Sequence, residues 1–324
     1  MQLIARSLSL AALLGIAAVA NAQTIAAPYS ANYTLTDLGP VLGLPTFYGG
    51  LTLKAGDLNT LLVGGNANTS SGGIYAVSVV RDGSSHITGF SGSASLFASA
   101  PYIDGGLAYG PGGVLFYTAF PNNTIGEIKP GSSSPDKIVS LTGLGVSSSV
   151  GTLNFVPAGF GGAGRLKILS FNAGNQYDAT ISTDGVGTFN IDNPILKSNL
   201  GGGPEGIVYI KGGNPNFGAD SALVSDYNNG SVIAYQVDAN GDLIPLTAQN
   251  FITGLGGAEG AFIDPVTGDF LFSTFGANNT IVTVRGFAPT ATSSVPEPGV
   301  VAILAGMGVT GSLFATRRLR RRNK

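Results

Sequence analysis

The chain has 324 residues, of which 50 are glycine and only 10% are charged. It contains no Cys, no Trp and a single His, which excludes a disulfide framework, a Cys-ligated metal and a thiol nucleophile. Nine basic and 17 acidic residues lie between Gln23 and Ser294. This body therefore has a formal charge of −8, which disfavours nucleic acid or anionic lipid as a partner.

The first 22 residues show the three parts of a secretory signal peptide. Arg6 supplies the positive start, Leu8 to Ala20 forms the apolar region, and Ala20-Asn21-Ala22 offers the small-x-small cleavage pattern. We expect export and cleavage by signal peptidase before Gln23. The alternative is a buried N-terminal helix.

The body is a series of short β-prone segments separated by Gly, Asn, Asp and Pro, without a sustained helical period. Five similar segments start at glycines spaced 56, 45, 55 and 54 residues apart: Gly50, Gly106, Gly151, Gly206 and Gly260. An apolar strand follows each start, and four of the five repeats continue with an Asn-rich turn and a further strand. Repeats of about this length with several strands each are typical of a β-propeller.

The last repeat ends one strand short, whereas residues 31–38 alternate like a strand and have no repeat of their own. We therefore expect this N-terminal strand to complete the last blade and close a five-bladed propeller over residues 23–287, which removes exposed edges. A six-bladed ring, with two repeats merged in the count, and a β-sandwich are the alternatives.

The repeats resemble those of NHL and gluconolactonase-like propellers at Pro204-Glu205-Gly206 and Val224 to Val232. The resemblance implies that carboxylate and Asn side chains around the central channel hold a divalent ion. Asp104, Glu205 and Glu259 occupy comparable points of three repeats, and such oxygen ligands suit Ca²⁺. The other two repeats place Tyr48 and Val150 there. The alternative is that these motifs are hairpin turns without a bound ion.

The C-terminal region has three parts in order: a Ser/Thr/Pro linker at 288–294, the motif Pro296-Glu297-Pro298, and an uncharged apolar run at 300–316. Seventeen helical residues span about 26 Å, which is the low end of what crosses a bilayer core. A basic cluster follows, and the positive-inside rule holds it in the cytoplasm as a stop signal. Its arginines are Arg317, Arg318, Arg320, Arg321 and Arg322.

This arrangement, over residues 295–324, resembles the PEP-CTERM sorting signal of Gram-negative bacteria. The resemblance implies a transient inner-membrane anchor, processing by an exosortase near Pro296-Glu297-Pro298, and a host that makes an exopolysaccharide or biofilm matrix. The alternative is an ordinary tail anchor.

Catalytic signals are weak in the body. His86 is alone in a Gly/Ser-rich turn, and no Gly-x-Ser-x-Gly elbow occurs. The sequence therefore favours a non-enzymatic propeller of the envelope or extracellular matrix that binds polysaccharide or protein partners. The alternative function is a Ca²⁺-dependent hydrolase of the lactonase type.

Overall fold

The computed structural model describes residues 23–276 and 278–289 and consists of five antiparallel sheets arranged as the blades of a propeller. Blade 1 contains β3 (Leu51–Lys54), β4 (Asp57–Gly65), β5 (Gly73–Arg81) and β6 (Ile87–Ser99). Blade 2 contains β7 (Ile103–Tyr109), β8 (Leu115–Ala119), β9 (Thr124–Ile128) and β10 (Lys137–Ser140). Blade 3 contains β11 (Val150–Phe155), β12 (Leu166–Ser170), β13 (Asn175–Thr183) and β14 (Phe189–Asn199).

Blades 4 and 5 each include a strand from the N-terminal segment. Blade 4 contains β15 (Pro204–Ile210), β16 (Ser221–Asp226), β17 (Ser231–Gln236) and β18 (Gln249–Thr253), with β1 (Thr24–Ile25) as a fifth strand outside β18. Blade 5 contains β19 (Ala258–Ile263), β20 (Phe270–Thr274), β21 (Ile281–Arg285) and β2 (Thr34–Asp37). Four 3-10 turns complete the described structure: Tyr29–Ala31, Pro111–Gly113, Thr142–Leu144 and Pro245–Thr247.

The N-terminal strand closes the ring as the sequence predicts. β2 pairs antiparallel with β21, with Leu35 opposite Val284, so the fourth strand of the last blade comes from the start of the body. The count of five blades is confirmed, and the six-bladed and sandwich alternatives are wrong. The fifth strand of blade 4 was not predicted, because two residues are too short for an alternating pattern to be visible.

The hydrophobic core is divided into five clusters, each filling the space between two neighbouring blades. Between blades 4 and 5, for example, Phe251 packs edge-on against Tyr29 and Tyr33 from the N-terminal segment. Burying a large apolar side chain contributes about 1.5–3 kcal/mol, so these inter-blade clusters hold the ring together in a chain without disulfides.

The innermost strands, β3, β7, β11, β15 and β19, contact one another around the axis. Glycine makes this close approach feasible. A Cβ atom on Gly105 would lie 1.8 Å from the carbonyl oxygen of Glu205, and one on Gly151 would lie 2.2 Å from that of Pro204. Any side chain at these positions would force the blades apart. The repeat-start glycines Gly206 and Gly260 are equally crowded, since a Cβ atom on either would lie 2.5 Å from the backbone of a neighbouring blade, which explains why the repeats begin with glycine.

Within the residues that the structure describes, no helix is long and apolar enough to cross a membrane. The predicted signal peptide (1–22), the sorting motif, the apolar segment 300–316 and the terminal arginines all lie outside the described residues.

Candidate axial site

Three carboxyl groups from different blades meet at the propeller axis. Asp104 lies in β7, Glu205 in β15 and Glu259 in β19, and one carboxylate oxygen of each lies within 4.8 Å of the other two. All three are buried, with exposed fractions of 0%, 4% and 1%. We call this group the carboxyl floor. The structure therefore brings together the three residues that the sequence singles out as metal candidates.

Their positions in the repeats are less uniform than the sequence comparison implied. Glu205 and Glu259 directly precede the repeat glycines, whereas Asp104 stands two residues before Gly106. The pairing of β7 with β8 shifts register between Ile103 and Leu107, and this irregularity accompanies the approach of Asp104 to the glutamates. Three carboxyl groups thus meet although their repeat positions differ.

The corresponding residues of the other two blades do not join the floor. The Tyr48 hydroxyl accepts a hydrogen bond of 3.0 Å from the Val41 amide, and its ring packs between blades 5 and 1. Val150 packs in the core between blades 2 and 3. Both residues stabilise inter-blade packing rather than the axis.

The floor lacks compensating partners in the described parts of the chain. Both oxygens of Asp104, Oε2 of Glu205 and Oε1 of Glu259 are buried and have no hydrogen-bond donor. The Asn68 side chain, the Gly105 amide and the two glutamates approach Asp104 closely enough to influence its pKa, but none meets the geometry of a well-formed hydrogen bond, and Oδ1 of Asn68 is also without a donor. Buried polar groups normally find partners, so an unpartnered set of this size points to a bound group.

Burial governs the protonation of the floor. It raises the pKa of Asp104 from 3.8 to about 8. Burial, followed by repulsion from Asp104 and Glu259, raises the pKa of Glu205 well above its ordinary value. Burial and the charge of Asp104 do the same for the pKa of Glu259. At neutral pH the floor therefore retains protons unless a cation replaces them.

An aromatic collar surrounds the entrance above this floor. Phe120, Phe171, Tyr227 and Phe275 each follow directly after the second strand of blades 2, 3, 4 and 5. Neighbouring ring centroids are 5.6, 6.0 and 6.1 Å apart. In blade 1 the loop before β3 provides Phe47, whose centroid lies 5.0 Å from that of Phe275. Each blade thus contributes one aromatic side chain to the collar.

The orientation of the rings shows that they form walls rather than a lid. Successive ring planes from Phe120 to Phe275 are inclined by 81°, 68° and 74°, close to one fifth of a full turn. Rings related by fivefold symmetry reach such angles only when their planes run nearly parallel to the axis. Their spacing places the centroids roughly 5 Å from that axis.

Four rings of the collar and the two glutamates of the floor line a shared pocket. Its volume is about 160 Å³, and its lining consists of Asn68, Phe120, Phe171, Glu205, Tyr227, Glu259 and Phe275. The two glutamates of the floor therefore face a cavity that opens between aromatic rings. Such a pocket, apolar with a few convergent polar groups, is typical of a small-ligand site.

The collar was not identified from the sequence, although its signal is present. An aromatic residue follows the second strand in four of five repeats, directly before or within the Asn-rich turn. Among 28 Phe and Tyr residues, most of which are expected in a core, this recurring position does not stand out.

His86 lies away from the axis. Its Nδ1 atom is 2.7 Å from Oδ2 of Asp269, and the contact joins the β5–β6 turn of blade 1 to the loop before β20 of blade 5. The lone histidine thus helps to hold the first and last blades together and does not contribute to the axial pocket.

No protein-family model and no curated protein sequence matches the chain. Among solved structures, an auxiliary nutrient binding protein from Bacteroides thetaiotaomicron VPI-5482 has a TM-score of 0.45 at 10% identity, with 78% of this chain and 76% of that chain covered. The same description applies to a protein from Bacteroides ovatus ATCC 8483, with a TM-score of 0.44, 10% identity and coverages of 78% and 76%. A candidate 6-phosphogluconolactonase from Bacteroides uniformis ATCC 8492 has a TM-score of 0.40 and 14% identity, with coverages of 75% and 68%. These similarities are too low to transfer a function, and the five-bladed assignment rests on the strand pairing of the chain itself.

Proposed function

We propose that this chain is an exported, C-terminally sorted binding propeller whose axial pocket holds a divalent cation and receives a ligand at the cell envelope or in the extracellular matrix. One observation carries the proposal: three buried carboxyl groups without hydrogen-bond donors on several of their oxygens converge beneath the aromatic mouth of the propeller. Leaving several buried acidic oxygens unpartnered is costly, and a bound cation removes that cost.

The donor set fits calcium. Three oxygens no more than 4.8 Å apart all lie within about 2.8 Å of a common point, and a small inward movement reaches the 2.3–2.6 Å typical of Ca²⁺–oxygen contacts. Calcium takes six to eight oxygen ligands. The floor supplies carboxylates from three blades, so the remaining ligands would be water or ligand oxygens in the cavity. The aromatic walls would then contact the apolar face of the ligand.

Calcium titration of the purified full-length protein tests the metal site. After treatment with a chelator, Ca²⁺ at about 100 times its Kd should raise the free energy of unfolding by about 2.7 kcal/mol. For a protein of this size that corresponds to a Tm increase of roughly 5–10 °C. Glu259→Gln should abolish the shift, whereas Asp192→Asn, in the outer strand β14, should retain it. Absence of a shift in the wild-type protein would reject the metal site.

The sorting part of the proposal is supported by the sequence of the C-terminal region. Phe287 packs in the core between blades 4 and 5, and the Ala288 amide donates to Oδ1 of Asn214 at 2.7 Å. Pro296 follows nine residues after Phe287, a distance that an extended chain covers in about 30 Å. We propose that the anchored body stands close to the outer face of the inner membrane until an exosortase cuts near the motif and releases it.

A Ca²⁺-dependent hydrolase of the lactonase type is the second candidate. The observation in its favour is geometric: Glu205 and Glu259 of the floor line a pocket that opens between aromatic rings, so a lactone carbonyl in that pocket would lie beside the proposed cation. Steady hydrolysis of a sugar lactone by the calcium-loaded protein, lost in Glu205→Gln, would establish this function. Lactone binding without turnover would support the binding function instead.

A further inference from the structure

The three floor oxygens match the donors of a primary ammonium group in number and spacing. An ammonium nitrogen carries three N–H donors and no acceptor. A nitrogen placed centrally among oxygens no more than 4.8 Å apart lies within about 2.8 Å of each, and charged N–H···O contacts are typically 2.7–2.9 Å. The acceptors come from blades 2, 4 and 5 around the axis, so a stem attached to such a nitrogen would point along the axis into the collar.

The side chains that line the walls of the pocket suit a ligand whose chain beyond the ammonium group is apolar better than one that carries hydroxyl groups. Among the described lining side chains above the two glutamates, only the Tyr227 hydroxyl and the Asn68 amide carry polar atoms. Hydroxyl groups pressed against the phenylalanines would be buried without partners, whereas methylene groups lose nothing there. A methylene stem on the axis would lie roughly 5 Å from the ring centroids, close enough to pack against the aromatic walls.

The closed base of the pocket requires the ligand to enter end-on. Gly105 and Gly151 bring the inner strands into contact beside Glu205, so the axis does not offer a wide passage past the floor. The body carries a formal charge of −8, which attracts partners of positive charge. A single extended cationic side chain satisfies both conditions.

From these contacts we propose that the axial pocket receives the side chain of a lysine displayed by a partner protein, with its ammonium group on the carboxyl floor and its methylene stem within the collar. The inference rests on the proposed function only in using the same pocket and does not require the metal. Lysine and calcium are then competing occupants of the floor.

Calorimetry on the chelator-treated full-length protein tests this assignment with Nα-acetyl-lysine N-methylamide, which presents the side chain with a blocked backbone. We expect one binding site per chain. The norleucine analogue, which lacks the ammonium, should not bind measurably. The Nε-trimethyl analogue keeps the charge but has no N–H donor, and we expect its affinity to be lower by about 100-fold or more. Equal binding of the trimethyl analogue, or no binding of the lysine probe, would overturn the inference.

Variants of the collar distinguish the contribution of the aromatic walls to lysine binding from that of the carboxyl floor. Phe171→Leu and Tyr227→Leu should weaken the lysine probe by roughly tenfold and leave calcium affinity unchanged. Phe97→Leu, at a half-buried phenylalanine of blade 1 outside the collar, is the matched control and should bind as the wild type does. Unchanged affinity in both collar variants would contradict the proposed position of the stem.

Competition distinguishes this inference from the metal proposal. Calcium should raise the apparent Kd of the lysine probe linearly with the free Ca²⁺ concentration, by a factor equal to one plus the ratio of that concentration to the Kd of calcium, and simultaneous binding would contradict a shared floor. If the probe binds and calcium does not, the metal proposal fails and the lysine site stands; the reverse result leaves only the metal. Spermidine binding more than tenfold tighter than the lysine probe would assign the site to a free polyamine and overturn the protein-partner assignment.

Discussion

Replacing Asp104 by asparagine should flatten the pH dependence of stability that the carboxyl floor creates. Burial raises the pKa of Asp104 from 3.8 in an exposed carboxyl to about 8 in the folded protein. The folded state therefore binds more protons than the unfolded state between these values. The stabilisation is fully present below about pH 4, and it is lost as the pH rises through about 8.

The magnitude follows from the difference between the two pKa values. One pH unit corresponds to about 1.4 kcal/mol, so ionising Asp104 without a cation costs on the order of 5 kcal/mol. Glu205 and Glu259, whose pKa values are also raised, add to the effect in the same direction. Glu127 in blade 2, buried with a raised pKa, contributes likewise but lies away from the axis. The difference between wild type and Asp104→Asn isolates the contribution of Asp104, including its repulsion of Glu205 and Glu259, from that of Glu127.

Urea unfolding at pH 5, 7 and 9 in the presence of a chelator measures this effect. The wild-type free energy of unfolding should fall by several kcal/mol over this range, and Asp104→Asn should lose much less. Added Ca²⁺ should restore the wild-type stability at pH 9, where the carboxylates are ionised and bind the metal best. A wild-type curve that is flat with pH, or an equally steep curve for the variant, would refute the reasoning.

Three further predictions concern other parts of the chain. Deleting Ala31 to Leu38 removes β2 and exposes the edge of β21, so we expect a lower Tm and aggregation. Deleting β1 alone should lower the Tm less. If the first deletion variant melted at the same temperature as the wild type, closure by β2 would be refuted. Lys167 is fully buried and donates hydrogen bonds to Asp178 and Asp242. Lys167→Met should therefore reduce the free energy of unfolding, measured by urea titration, by about 3–5 kcal/mol. A loss below about 1 kcal/mol would show that Arg165 and Lys197 suffice to compensate the two aspartates. In an exosortase-containing host, intact-mass analysis should find mature protein that lacks Met1 to Ala22 and Val300 to Lys324. Replacing Pro296-Glu297-Pro298 by alanines should leave an uncut, membrane-bound form. An intact tail on the mature wild-type protein would reject the sorting signal and support an ordinary tail anchor.

Much of the fold was accessible from the sequence because the repeats are punctuated by residues with a clear steric purpose. The glycines at the repeat starts mark the close contacts of the inner strands, and the incomplete last repeat matched the unassigned strand at the N-terminus. The two-residue strand β1 was missed because its pairing with β18 depends on tertiary packing rather than on a local pattern.

The site was only partly predictable. Asp104, Glu205 and Glu259 were identified because acidic residues at the starts of inner strands point toward a common axis. The offset position of Asp104 depends on a register shift, which local sequence does not reveal. The collar residues resemble core aromatics one by one, and their convergence follows only from the circular arrangement of blades.

Crystals of the protein grown with millimolar Ca²⁺ would test the axial cation site most directly. The proposed site predicts a peak of electron density with calcium-like anomalous signal between the three floor carboxylates, roughly 2.3–2.6 Å from one oxygen each of Asp104, Glu205 and Glu259. A well-ordered axial pocket without such a peak, at a calcium concentration that fills ordinary protein sites, would contradict it.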